Sequence, residues 1–222
     1  RISGRILAEN IAGPGMLRLV EQSMQSRARK TSVTEIAVKE RKHPQAALTF
    51  DDGPDIRYTP LLLDGLKERN VRVSFFLLGE KVEQYPELVE RMQKEGHLVG
   101  NHTYHHVQLN KLNETKAREE ILKTNNLIYE TTGVYPLSLR PPFGAWKKNL
   151  ELCVEMLPVF WTIDTLDWKV QNTEKIVRTV QEQIEDGAII LMHDEYKTTV
   201  EAALRLADSL KEKGYELVKV DE

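Results

Sequence analysis

Short apolar runs alternate with amphipathic stretches from Ala46 to the C-terminus, and this rhythm constrains the fold more than any other feature of the chain. Apolar runs of a few residues suit buried strands, and each is followed by a longer stretch with helical start and stop signals. Such alternation prescribes a parallel sheet with helical crossovers. Strands are expected at Ala46 to Phe50, Val71 to Leu78, His97 to Gly100, Val134 to Leu139, Val159 to Ile163, Ala188 to Met192 and Tyr215 to Val220. Helices are expected from Thr59-Pro60, read as cap and opening, to Arg69; from Pro86 to Glu95; from Asn113 to a stop at Gly133; around Leu150 to Leu157; from Asn172 to Glu185; and from about Thr199 to Lys213. The count is about seven strand-helix units, an α/β chain compatible with a (β/α) barrel, complete or one unit short. An open doubly wound sheet is the alternative.

Residues 1–45 have a different texture and read as an N-terminal extension ahead of a domain at 46–222. The extension carries Gly13-Pro14-Gly15, a helix-like stretch from Met16 to Ser26, a basic Arg27-Ala28-Arg29-Lys30 and an alternating Val33 to Val38. With 222 residues and 41% hydrophobic content, the chain has enough apolar surface for a core without staples. Its 31 basic and 34 acidic residues leave a formal net charge of -3, so no electrostatic footprint for nucleic acid or an anionic membrane stands out. The single cysteine, Cys153, excludes an internal disulfide and reads as a small apolar packing residue. No apolar run is long enough to span a bilayer, and no basic-then-apolar signal segment is visible. The chain begins at Arg1, which reads as a processed product with its address removed.

The unusual polar clusters all follow apolar runs. Asp51/Asp52, His102/His105/His106, Arg140, Asp164/Asp167 and His193 each fall at the C-terminal end of an expected strand, where parallel α/β folds gather functional groups. This placement favours the barrel. Asp51 and Asp52 end the Ala46 to Phe50 run ahead of Gly53-Pro54. Neighbouring side chains of a strand point to opposite sides, so one carboxylate is free to hold a metal while the other moves a proton. The plainer reading is that Asp51, Asp52 and Asp55 make only turn bonds. His102 pairs with His105 or with His106 if the segment forms a helical turn, and spacing does not choose between them. Two imidazoles and a carboxylate make a three-ligand site with open positions, suited to Zn²⁺ and accepting Co²⁺, Mn²⁺, Ni²⁺ or Fe²⁺.

The set Thr49-Phe50-Asp51-Asp52-Gly53-Pro54, His102-Thr103-x-x-His106, Arg140-Pro141-Pro142-Phe143-Gly144, Asp164-x-x-Asp167-Trp168 and Leu191-Met192-His193 resembles the polysaccharide deacetylase family. The family is also called carbohydrate esterase family 4 or the NodB homology domain. The resemblance runs from about Gln45 to Val220 and implies a distorted (β/α) barrel that removes acetyl groups from sugars with the help of a metal. It makes Asp52, His102 and His106 the metal ligands, Asp51 the general base held by Arg140, and His193 the general acid with Asp167 as its acidic partner. His105 becomes a bystander, and Asp164 stays outside the site as a turn cap. Pro142, Phe143, Trp168 and Leu191 become substrate-binding residues, Trp168 and Leu191 as walls of the acetyl pocket and Phe143 through its main-chain N–H. Phe143 stands where the family often carries Tyr.

The leading expectation is therefore an N-deacetylase acting on N-acetylglucosamine units, with peptidoglycan, suggested by the stripped N-terminus, ahead of chitin oligomers and acetylated xylan as the O-acetyl alternative. A non-catalytic carbohydrate-binding relic would be expected to have lost base, ligand or acid, and Asp51, Asp52, His102, His106 and His193 are all present. An iron-dependent oxygenase shares the ligand set but sits in a β-rich frame. The expected partner is an acetylated glycan outside the membrane of a bacterium, with no nucleic acid and no membrane contact by this fragment. The Asn-x-Thr matches at Asn101 and Asn113 read as incidental.

Overall fold

The computed structural model describes residues 42–146 and 156–222. The expected elements of the N-terminal extension, Cys153 and most of the helix expected around Leu150 to Leu157 lie outside the described residues.

Strand β1 (Gln45–Asp51) is the hub of the sheet. Ala46, Ala47, Leu48, Thr49 and Phe50 are all buried, as a parallel strand covered on both faces requires. It pairs in parallel with β2 (Ser74–Leu77), with β7 (Ala188–His193) and, at its start, with β8 (Glu216–Leu217). β2 continues to β3 (Leu98–Asn101), β4 (Ser138–Leu139) and β5 (Leu157–Pro158), while β7 carries β6 (Ile163–Asp164) on its other side. The order is therefore β5-β4-β3-β2-β1-β7-β6, with β8 off this path. Parallel strands with helices make a curled half-barrel of the α/β class.

Helices make up much of the rest of the described residues. They are α1 (Thr59–Glu68), α2 (Gly79–Gln84), α3 (Pro86–Lys94), α4 (Glu114–Thr132), α5 (Asp167–Val170), α6 (Thr173–Gln183) and α7 (Lys197–Glu212). Asn113 caps α4 by accepting from the Lys116 N–H, and Gly133 ends it in a left-handed conformation. Leu62, Leu63 and Leu66 of α1 join Leu206 and Leu210 of α7 and Phe50, Phe75 and Ile190 of the sheet in one buried cluster. Truncating any of these leucines to alanine costs roughly 2–5 kcal/mol through lost burial and the cavity left behind.

Local details depart from the periodicity. Thr59 is not a cap: its hydroxyl accepts from the Asp55 N–H and donates to the buried Asp194. Asp55 caps the turn instead, accepting from the N–H groups of Arg57 and Tyr58. The Val159 to Ile163 run is not one strand, because sheet pairing stops at Pro158 and resumes at Ile163. Helix α2 has no apolar period and was not expected. Gly79 opens it because a Cβ there would lie 2.4 Å from the Thr124 hydroxyl and 2.5 Å from the Tyr104 ring.

Register then aligns the polar strand ends. Asp51 sits beside Phe76 on one side and His193 on the other, Leu77 beside Asn101, and Asn101 beside Leu139. Asp51, His102, Arg140 and His193 consequently leave the sheet at one level and at one end.

Candidate active site

Arg140 is the largest fully buried side chain among the described residues. Its guanidinium carbon lies 4.2 Å from the centre of the Phe76 ring and 5.9 Å from that of Trp161. Nη1 donates to Asp51 Oδ1 at 2.8 Å and to the Thr49 hydroxyl at 2.7 Å, and Thr49 in turn donates to the Ile190 carbonyl. Arg140 thus holds Asp51, through a single nitrogen. Nε and Nη2 turn to the main-chain carbonyls of Val159 and Phe160, 3.4 Å away. Burial raises the Asp51 carboxyl above its ordinary range, and Arg140 and His193 offset only part of that rise.

Asp52 has a different surrounding. Its backbone turns left-handed at φ 68°, which swings its carboxylate towards the imidazoles that follow β3. Oδ1 lies 3.4 Å from His102 Nε2 and 3.5 Å from His106 Nε2, and it has no hydrogen-bond partner. Behind the turn, a Cβ on Gly53 would lie 2.4 Å from the Asp194 carboxylate, so only glycine fits there. Burial pushes the Asp194 carboxyl up to about 7.

The histidine segment is not a helical turn. Thr103 and His106 are both left-handed, at φ 69° and 54°, and this irregular loop brings His102 and His106 to the same carboxylate. His102 Nδ1 faces the Arg140 carbonyl at 2.6 Å, which requires the proton on Nδ1 and leaves a lone pair on Nε2. Burial lowers its pKa to about 3, so the ring is neutral at ordinary pH and ready to ligate. His105 turns away to Glu120, 2.8 Å distant. One ligand atom each from Asp52, His102 and His106 lies within 4.8 Å of the others, the only such grouping among the described residues. A carboxylate oxygen with no donor, facing a fixed imidazole lone pair, is the donor set of a cation site.

His193 closes the opposite wall. Its Nδ1 faces Asp167 Oδ1 at 2.8 Å, and Asp167 Oδ2 also accepts from the His193 N–H and the Thr199 hydroxyl. Burial opposes the charged imidazole, but the hydrogen bond and charge of Asp167, helped by Asp51 and Asp52, raise its pKa to about 9. His193 Nε2 points inward, 3.9 Å from Asp52 Oδ2.

These groups open onto a cavity of about 500 Å³. Phe143, Trp168 and Leu191 line it as expected, whereas Pro142 is buried and lies outside its lining. Phe143 is left-handed at φ 60°, and its exposed ring lies 4.5 Å from that of His106. Asp164 also reaches the lining while capping its turn through the Leu166 N–H. Trp161 and Tyr196 were missed. Trp161 sits inside an apolar run and reads as core, and nothing in the pattern around Tyr196 marks it. Asn101 is fully buried and donates to Ile121 and Asn125, consistent with an incidental Asn-x-Thr match.

The sequence profile described as polysaccharide deacetylase matches residues 38–159. The chain belongs to the polysaccharide deacetylase family. It is 42% identical over 184 residues to the peptidoglycan-N-acetylglucosamine deacetylase PgdA of Listeria monocytogenes, covering 83% of this chain and 40% of that protein. It is 40% identical over 176 residues to the peptidoglycan-N-acetylmuramic acid deacetylase PdaC of Bacillus subtilis, covering 79% of this chain and 38% of that protein. The solved structure of PdaC superposes with a TM-score of 0.78 at 39% identity, covering 81% of this chain and 89% of the solved one. The chain thus spans about two fifths of the length of these curated relatives. Within the described residues, no helix is long and apolar enough to cross a membrane.

Proposed function

We propose that this polysaccharide deacetylase domain is a metal-dependent hydrolase that removes N-acetyl groups from N-acetylglucosamine units of peptidoglycan, outside the bacterial membrane. The observation that carries the reading is the partnerless Asp52 Oδ1 between two imidazoles, with a second carboxylate and a charged imidazole on either side. Asp52, His102 and His106 would hold a divalent cation, Zn²⁺ before Co²⁺, Mn²⁺ or Ni²⁺, which polarises a carbonyl and acidifies water. The naming of PgdA and PdaC supports peptidoglycan as the polymer.

Asp51, kept in place by Arg140, takes a proton from the water whose oxygen adds to the acetyl carbonyl carbon. The Phe143 main-chain N–H contributes to holding the oxygen on which charge develops. His193, protonated through Asp167, gives its proton to the sugar nitrogen as the carbon–nitrogen bond breaks, releasing acetate and a free amine. Trp168 and Leu191 wall the acetyl methyl away from bulk water.

Acetate release measured across peptidoglycan, N-acetylglucosamine oligomers and acetylated xylan tests this. Release from the N-acetylated substrates, abolished by chelator and restored by Zn²⁺ or Co²⁺, is the expected result. Release confined to acetylated xylan, or indifferent to chelator, contradicts it.

A further inference from the structure

We infer that Glu120 on α4 is the positioning residue for His106, an inference that rests on the metal reading above. His102 and His106 face the same Asp52 oxygen but are held in different ways. The His102 ring is fixed by the Arg140 carbonyl at 2.6 Å and is almost fully buried. The His106 side chain is 30% exposed, and its ring has ring neighbours, Phe143 at 4.5 Å and His102 at 5.0 Å, with no hydrogen bond to Nδ1 among the described residues. A ligating imidazole ordinarily takes its orientation from a hydrogen bond on its other nitrogen. His106 has its backbone and the two flanking rings instead.

That backbone is costly to hold. Thr103 and His106 both occupy the left-handed region, which non-glycine residues keep only where their surroundings enforce it. Glu120 supplies the enforcement between them. Its Oε2 accepts from the N–H groups of Tyr104 at 3.1 Å and His105 at 2.9 Å, and its Oε1 faces His105 Nδ1 at 2.8 Å. From the other side, the N–H groups of Gly79 and Glu80 at the start of α2 donate to the carbonyls of Thr103 and Tyr104. The loop is therefore clamped at both its donors and its acceptors. On the donor side Asn101 Oδ1 accepts from the Thr103 N–H and the Thr103 hydroxyl from the Val107 N–H, while Glu120 alone holds the two N–H groups between, those of Tyr104 and His105. Its carboxylate is mostly buried, which strengthens charge-assisted bonds of this kind.

The experiment is a Co²⁺ titration of the whole chain, followed by the visible absorption of the bound ion, in the parent and in Glu120→Ala, Glu120→Gln and Glu120→Asp. Glu120→Ala is expected to weaken Co²⁺ binding about ten- to hundredfold and to change the band shape as His106 loosens. Glu120→Gln, which keeps an acceptor at the same reach, should recover most of that loss, and Glu120→Asp, which pulls the carboxylate back by one methylene, should not. If Glu120→Ala does not fold, the Gln and Asp variants decide, and equal parental affinity in both overturns the proposal. Parental affinity and spectrum in a folded Glu120→Ala overturn it as well. A parent chain that binds no Co²⁺ overturns the metal reading itself, and this inference with it.

Discussion

On the β3 side of the cavity His102 is buried against a main-chain carbonyl, and on the β7 side the partly buried His193 faces a carboxylate. Burial lowers both imidazoles' affinity for a proton. For His102 it wins and the pKa falls to about 3, whereas for His193 the Asp167 carboxylate overcomes it and the pKa rises to about 9. The two rings share one cavity, yet the partner of Nδ1 sets opposite protonation states. One wall therefore offers a lone pair to a cation and the other a proton to a leaving group. Neighbouring carboxylates divide the same way. Asp51 is engaged by Arg140, and Asp52 has an oxygen left for a ligand.

Removing the proton donor should break the contrast most severely. His193→Ala is expected to cost on the order of 10²–10⁴-fold in turnover of N-acetylated substrates, and far less with an aryl acetate whose leaving group needs no proton. Equal losses on both, measured as kcat, would remove His193 from the acid role. A smaller effect is expected from Asp167→Asn, which keeps the shape of the contact but removes its charge. The His193 pKa should fall towards or below the ordinary 6.5, and turnover near pH 8 should drop by roughly tenfold or more. The gentlest probe leaves the sequence alone. In the metal-free chain, imidazole signals followed by NMR should show His193 keeping its proton at neutral pH and losing it as pH rises through about 9. His102 should stay neutral until pH falls to about 3. Two rings titrating together near 6.5 would erase the contrast.

Much of this site was legible because most of its charged groups end an apolar run. Asp51, Asp52, His102, Arg140 and His193 stand where a buried strand gives way to a loop, and parallel register carries them to one level. What could not be read lacks that boundary. Trp161 lies within an apolar run, where a ring facing a cavity and a ring in a core look alike. Glu120 sits beside Glu119 on a charged helix face, and only the loop folded over it distinguishes the two. The route by which His106 reaches Asp52 was also hidden. A four-residue spacing suggests a helical turn, but the chain uses two left-handed residues to the same end. At fold level, the strand-helix alternation foretold the parallel half-barrel. It did not foretell that Val159 to Thr162 would leave the sheet, where the carbonyls of Val159 and Phe160 serve the buried Arg140.

The division of labour between Asp51 and Asp52 is tested most directly by calorimetric titration of Zn²⁺ into Asp51→Asn and Asp52→Asn beside the parent, with acetate release assayed on the same samples. Asp51→Asn should bind one equivalent with near-parental affinity and be inactive, while Asp52→Asn should lose tight binding and activity together. Equal metal loss in both variants, or undiminished binding in Asp52→Asn, would contradict the assignment.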